Sequence, residues 1–294
     1  MSEARRPLRS TYEERIIMRK DMRTGQSKGS RSPDGSGYVF DNAGKQAHAR
    51  LRALSEIFDP GTIRHLCERG VKKGWHCLEV GGGGGSVAGW LSERVGASGR
   101  VLVTDIDTRF LETLKLPNLE VRRHNIVTDP LPEGVFDLVH ARLVLLHLPE
   151  REKVQQRLVA ALKPGGWFVD EEFDSLSMRP DPAVSPGEVL LKTHSVVARL
   201  LTEREVDVRF GRKVFERLRA NGLVEVGAEA RMFMWQGGSL GASLLRANCE
   251  QLRGDMIDAG YITEEEFAQD LARMDETDFL APSPIMWTVW GRRP

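Results

Sequence analysis

The chain has 294 residues, 40% hydrophobic and 29% charged, and its 42 basic side chains balance its 42 acidic ones. That is the composition of a soluble globular protein, long enough for one large α/β domain or two modest ones. The zero net charge, with no basic stripe in the main body, argues against nucleic acid as the principal partner, since phosphate binding draws on clustered Lys and Arg.

No apolar run approaches the ~20 residues that a membrane span needs, and the N-terminus lacks the apolar stretch of a signal peptide. Cys67, Cys77 and Cys249 have neither metal-ligand spacing nor an even disulfide count,. A cytoplasmic protein with reduced thiols, no bound metal and no membrane partner is expected.

Residues 1–37 read as a charged tail that closes in a Gly/Ser/Pro run at 30–37. It is either a solvated arm or, through a short helix at 12–23, an element that docks on a second subunit or over the active site. The segment 42–71 carries Leu51, Leu54, Ile57 and Phe58 at helical spacing, with a break expected at Asp59-Pro60-Gly61 and a second short helix after it. Strand–helix alternation then begins. A buried strand at 77–80 runs into five glycines at 81–85, and Ser86 is placed to cap a helix that carries Val87, Trp90, Leu91 and Val95 and stops at Gly96. Strands are expected at 100–106, 119–126 and 136–141, then a helix at 150–162 closed by Pro164-Gly165-Gly166, then a strand at 167–171. Repeated βα units of this kind imply a parallel sheet covered by helices on both faces.

Past residue 174 the tempo changes. A proline-rich stretch (Pro180, Pro182, Pro186) precedes helices at 188–201 and 213–220, and a long strand is expected at 223–235. Two helices fill 239–277, the second opening with Thr263 and Glu266 in capping-box spacing, and a last strand lies at 285–290. The expected organisation is a tail at 1–37, then a helical entry and cofactor-binding half at 38–173. A helical insertion at 174–222 follows as a substrate cap, and 223–294 completes the sheet around a second helical insertion at 239–277. Either insertion, or the tail, offers a surface for homodimer packing.

A strand that runs into glycines and then a helix is a nucleotide-binding device, because glycine allows both the sharp turn and the close approach of backbone to ligand. Alone it is a weak signal. The string nearly fits a dinucleotide fingerprint, with Ser86 where Gly or Ala is wanted, and it lacks the Gly-Lys-Ser/Thr end of a P-loop. The neighbours add more. Glu79, two residues before the first glycine, is placed to receive an ammonium through a charge-assisted hydrogen bond. Asp105 ends the second strand, where its carboxylate suits two ribose hydroxyls, with Ile106 beside an adenine. Asn125 and Ile126 end the third, where an amide and a backbone N–H suit the adenine edge.

The strings LEVGGGGGSVAGWL, VLVTDID, HNI, FDLVHARLVLLHL and LKPGGWFV occur in that order between Trp75 and Asp174. Together they resemble the class I S-adenosylmethionine-dependent methyltransferases. By that resemblance Glu79, Gly81, Gly83 and Gly85 match the family's acidic-x-Gly-x-Gly-x-Gly motif and Asp105 its ribose-binding acid, while Asn125 replaces the commoner Asp at the adenine position. The resemblance implies S-adenosyl-L-methionine as cofactor. It also implies a Rossmann-like three-layer α/β sandwich whose seven-stranded, mostly parallel sheet has an antiparallel last strand, with helical cap insertions. The implied activity is methyl transfer to a small organic acceptor at oxygen, nitrogen or carbon, in the biosynthesis of a secondary metabolite or quinone-like compound.

Such a transfer needs alignment, exclusion of water and sometimes a base. His147, after the fourth strand, and Glu171, at the end of the fifth, are the candidate catalytic groups. One of Glu171, Glu172 and Asp174 at that strand end is expected to line the cavity and the others to meet solvent or Arg; Glu171 and Glu172 are neighbours on one strand and face opposite ways, so at most one of these two points inward. Glu172, Tyr38 and His194 are candidate substrate contacts. Arg142 is placed to hold the cofactor carboxylate or Glu79, or else an exposed ion pair. Two other readings stay open: an NAD(P)-dependent oxidoreductase, for which no hydride-positioning residue is visible, and a cofactor-binding interaction protein without turnover.

Overall fold

The computed structural model describes residues 45–175 and 191–294. The tail at 1–37, Tyr38 and the prolines at 180, 182 and 186 lie outside the described residues.

The described chain opens with helix α1 (Lys45–Glu68), which carries Pro60 in its interior. The break expected at Asp59-Pro60-Gly61 does not occur. Pro60 forfeits one backbone bond, but the helix is held on both sides of it. Phe58 and Leu66 are fully buried, and the Thr62 hydroxyl donates to the Phe58 carbonyl at 3.2 Å. Gly61 serves packing instead: a Cβ there would lie 0.9 Å from Nη1 of Arg231.

Strand β1 (His76–Val80) leads through the glycines into helix α2 (Ser86–Val95). Strands β2 (Arg100–Asp105), β3 (Leu119–Arg123) and β4 (Phe136–Arg142) follow, then helix α3 (Arg151–Ala161) and strand β5 (Leu162–Asp174). Strand β5 is longer than its apolar run because the Lys163-Pro164-Gly165-Gly166 turn is absorbed as an irregularity in its pairing with β4. The remainder is α4 (Lys192–Glu203), α5 (Gly211–Ala220), β6 (Val224–Arg231), β7 (Met234–Gln236), α6 (Leu240–Asp258), α7 (Glu264–Asp275), β8 (Leu280–Pro282) and β9 (Ile285–Arg292). The long strand expected at 223–235 is therefore two. Strand β6 pairs with β9, whereas β7 turns away to pair with β8, because Phe233 exchanges hydrogen bonds with Ser283 rather than with the main sheet. The capping box is present: Thr263 and Glu266 bond reciprocally at the start of α7.

The seven-stranded sheet has the order β3-β2-β1-β4-β5-β9-β6. Strand β9 runs antiparallel to both its neighbours, while the first five strands are parallel. Side chains alternate between two buried layers, as strand geometry requires. Leu78, Val139 and Phe168 enter a core shared with α3, α5 and α6. Cys77, Leu138 and Val169 enter one shared with α2 and the end of α1. The sheet is thus the middle of three layers, and its parity decides which polar residues meet inside.

Candidate functional site

The carboxyl ends of β1 and β2 build the first half of the site. Gly81, Gly83 and Gly85 all have positive φ, at 67°, 51° and 81°, a region that only glycine enters without strain. The loop they form is tied to β2 rather than left open. The Gly81 and Gly82 amides donate to the Thr104 carbonyl at 2.8 and 3.1 Å, and the Gly83 amide donates to Oδ2 of Asp105 at 2.9 Å. The other oxygen of Asp105 accepts from the Asp107 amide at 3.1 Å. Burial raises the Asp105 carboxyl above its ordinary range, and these two amide bonds oppose the rise. Ser86 does not cap α2: the cap position is Gly85, with no side-chain bond, and the Ser86 hydroxyl lies 2.9 Å from that of Ser55 on α1.

The adenine-side residues are ordered by their own turn. Oδ1 of Asn125 accepts from the Val127 amide at 3.0 Å, and the Asn125 amide donates to Asp129. Ile126 is buried in the main core and its carbonyl accepts from Arg157. Ile106 is half-buried beside Asp105, with its carbonyl bonded to Arg123.

Glu79 is nearly buried and does not stand alone. Its Oε2 lies 2.6 Å from Nδ1 of His140, the residue beside it in register on β4. Nε2 of the same ring lies 3.4 Å from Oε2 of Glu171 on β5. Glu171 also accepts from the hydroxyls of Thr62 on α1 and Thr288 on β9 and from Nη2 of Arg231 on β6 at 2.9 Å. Burial alone would lower the His140 imidazole, but the Glu79 charge, with hydrogen bonds to Glu171 and Glu79, holds it at about 9. Burial alone would raise Glu171, but the hydrogen bond from His140, together with the charges of His140 and Arg142, holds it at about 2. The result is a chain of alternating charge from β1 to β6, buried at Glu79, His140 and Glu171 and half-buried at Arg231.

That arrangement corrects the reading of Glu171 as an acid or base in the cavity. It is fully buried and occupied by four partners, and it stays ionised. Glu172 faces the opposite way, as alternation requires, but it too is fully buried. Its Oε1 accepts from the Val144 and Leu145 amides at 3.2 and 2.7 Å, which pins the turn after β4. Leu143 in that turn has φ 56°, and Val144 lies so close to Gly81 that a Cβ there would be 2.4 Å away. Burial and the neighbouring Asp170 push the Glu172 carboxyl well above its ordinary range. Asp174, the third acid at that strand end, is also fully buried and pairs with Arg212.

Arg142 is half-buried and pairs on α1 rather than with Glu79. Its Nη1 pairs with Asp59 at 2.8 Å and bonds the Thr62 hydroxyl at 3.0 Å. His147 sits on the 3₁₀ turn Leu145–His147. Burial, aided by the charges of Arg50 and Arg151, pushes its imidazole down to about 3, so the ring is neutral at pH 7 and a weak base. Burial pushes His194, on α4, down to about 4. Its Nε2 has no hydrogen-bond partner among the described residues.

The residues that sequence reasoning missed are His140, Thr62, Arg231 and Thr288. The signal was a histidine in the middle of the buried strand Phe136–Arg142, between Val139 and Ala141. An aromatic cluster was missed too: Phe58 stands edge-on to Phe173 at 5.4 Å and to Phe233 at 6.0 Å. Phe173 is near the carboxyl end of β5, and Phe233 follows the carboxyl end of β6.

Residues 78–170 match the family model described as a methyltransferase domain. A ubiquinone/menaquinone biosynthesis C-methyltransferase of Pseudoalteromonas translucida is 28% identical over 116 residues, 37% of this chain and 46% of that protein. A methyltransferase of Strobilurus tenacellus is 28% identical over 137 residues, 46% of this chain and 48% of that protein. The chain therefore spans about half the length of the curated relatives it matches. Among solved structures, Haemonchus contortus phosphoethanolamine N-methyltransferase 2, in complex with phosphomonomethylethanolamine and S-adenosylhomocysteine, superposes with a TM-score of 0.53. It is 15% identical over 83% of this chain and 57% of that one. The YcgJ protein of Bacillus subtilis superposes with a TM-score of 0.52, at 12% identity over 78% of this chain and 96% of that one. At those identities the likeness is one of fold: a Rossmann-like sheet with the same mostly parallel architecture.

Proposed function

We propose, from the match of residues 78–170 to the methyltransferase domain family, that the chain is of the class I, S-adenosylmethionine-dependent kind and transfers the methyl group of S-adenosylmethionine to a small organic acceptor. The observation that carries this reading is the glycine loop closed onto Asp105, with the Glu79 carboxylate two residues before it on the adjacent strand end. Ligands of open α/β sheets sit outside the carboxyl ends of the strands, and these groups converge there. The residues fit an adenosyl amino acid: Glu79 for the ammonium, Gly81, Gly83 and Gly85 for close backbone approach, Asp105 for the ribose diol, and Ile106, Asn125 and Ile126 around the base. Bound there, the sulfonium supplies an already activated methyl group.

The chain's own contribution is then alignment and exclusion of water. With His147 held neutral down to about pH 3 and Glu171 saturated, neither is assigned the removal of a proton. The rings of Phe173 and Phe233, packed on the buried Phe58, favour an acceptor with apolar or aromatic bulk,, and Glu172 fixes the turn that lies against the glycine loop. The zero net charge favours a small molecule over a nucleic acid,.

Calorimetry tests the reading. S-adenosylhomocysteine should bind and NAD should not, and Glu79→Gln and Asp105→Asn should each weaken binding at least about tenfold, the scale of one charged hydrogen bond. NAD binding without the sulfur compound would end the methyltransferase reading. A panel of quinols, phenols and amines, scored by release of S-adenosylhomocysteine, then selects the acceptor.

A further inference from the structure

His140 lies mid-strand on β4 with no exposed surface. An imidazolium buried there is unfavourable unless it is matched by opposite charge with good geometry. The match comes from two carboxylates on the flanking strands: Glu79 at 2.6 Å from Nδ1 and Glu171 at 3.4 Å from Nε2. The two contacts differ in kind. Glu171 is independently fixed by Thr62, Thr288 and Arg231, so its position does not depend on the ring. Glu79 stands next to the last residue of β1, two residues before Gly81, and the ring is its tie to that fixed group.

We propose that His140 is a positioning residue for cofactor binding, which anchors one oxygen of Glu79 against the immobile Glu171 and so aims that carboxylate at the ammonium of an amino-acid ligand. This rests on the reading of Glu79 as the ammonium's partner. A carboxylate aimed in advance loses less conformational freedom when the ligand arrives, and that saving appears as affinity. The role is confined to the amino-acid end of the ligand, because the adenosine end is held by Asp105 and the turn after β3, which His140 does not touch.

The two ring nitrogens can be replaced separately. The amide nitrogen of Asn falls near the place of Nδ1, and that of Gln near the place of Nε2. His140→Asn therefore keeps a donor toward Glu79, whereas His140→Gln keeps one only toward Glu171. Both remove the same charge from the same buried spot. The probes are S-adenosylhomocysteine and 5′-methylthioadenosine, which lacks the amino-acid end. His140→Gln should weaken S-adenosylhomocysteine binding at least about tenfold and His140→Asn less than about threefold. Binding of 5′-methylthioadenosine should stay within about twofold in both, while their Tm values fall alike.

Equal losses for both ligands, or two variants that bind S-adenosylhomocysteine alike, would overturn the proposal. Should the unaltered protein bind S-adenosylhomocysteine no more tightly than 5′-methylthioadenosine, the reading of Glu79 falls and the proposal with it; if only the variants fail to differ, the proposal alone falls. Should a variant not fold, histidine ¹⁵N spectra of the unaltered protein decide. S-adenosylhomocysteine should move the resonance of the Nδ1 bonded to Glu79 and 5′-methylthioadenosine should not, and a resonance unmoved by the first ligand overturns the proposal.

Discussion

Alanine meets very different surroundings along the glycine loop. At Gly81 it enters positive φ and places a Cβ 2.4 Å from Val144, whereas at Gly84 the nearest atom is 3.5 Å away and φ is not positive. Gly81→Ala should cost at least ~1–2 kcal/mol from the left-handed backbone alone, while Gly84→Ala should stay within about 0.5 kcal/mol. Urea unfolding of the two variants checks this, and equal midpoints would mean that the loop is softer than its geometry. The glycines, Glu79 and Asp105 were legible in the sequence because a phosphate- or nucleoside-type loop is a local motif with fixed offsets. His140 was not, because its meaning depends on register: it sits beside Glu79 only once β1 and β4 pair. The same limit explains Arg142, which meets Asp59 from a helix far away in the chain.

Strand β5 carries its acids on both faces, and none reaches water. Asp170, Glu172 and Asp174 share one face by parity, and of these Asp174 has Arg212 as counter-charge. Burial pushes Asp170 up to about 8, against a hydrogen bond from Gln155 and the charge of His140. A carboxyl whose folded pKa lies above its unfolded value of 3.8 holds its proton better when folded. The stability it contributes is complete below pH 3.8 and is lost as pH rises through about 8,. Asp170→Asn keeps the acceptor for Gln155 without the charge. It should therefore leave Tm near that of the unaltered protein at pH 4 and raise it by at least about 2 °C at pH 9. Thermal melts at both pH values decide, and a variant that gains nothing at pH 9 would refute the buried-proton account. Elements themselves were legible in kind more than in extent. Periodicity marked α1 but read Pro60 as its end, since single-residue propensity ignores the packing of Phe58 and Leu66 on either side. The strand expected at 223–235 divided because Phe233 found Ser283, a partner 50 residues away.

For the whole molecule the decisive feature is where the last strand goes. Strand β9 lies between β5 and β6, so the sheet is incomplete until the end of the described chain is in place, and β9 also supplies Thr288 to Glu171. Removal of residues 284–294 should abolish the cooperative thermal transition, because β6 would lose its pairing partner and Glu171 one of its buried bonds. A truncated chain that melts within a few degrees of the intact one would show that the first five strands fold independently of the last two.

By itself the sequence determined the alternation of strand and helix, the parallel sheet, and the nucleoside-type loop with its two carboxylates, while the antiparallel last strand was implied only by the family resemblance. Each of the first three is encoded within some ten to twenty neighbouring residues through periodicity, turn chemistry or fixed spacing. Only the tertiary structure decided which polar side chains meet. It turned Glu171 from a presumed cavity acid into the buried anchor of His140, turned Glu172 inward to pin the turn beside Gly81, and lowered His147 out of the range of a base. The physical reason is that burial and strand register set the electrostatics of a carboxylate or an imidazole, and both arise from contacts between segments distant in the chain.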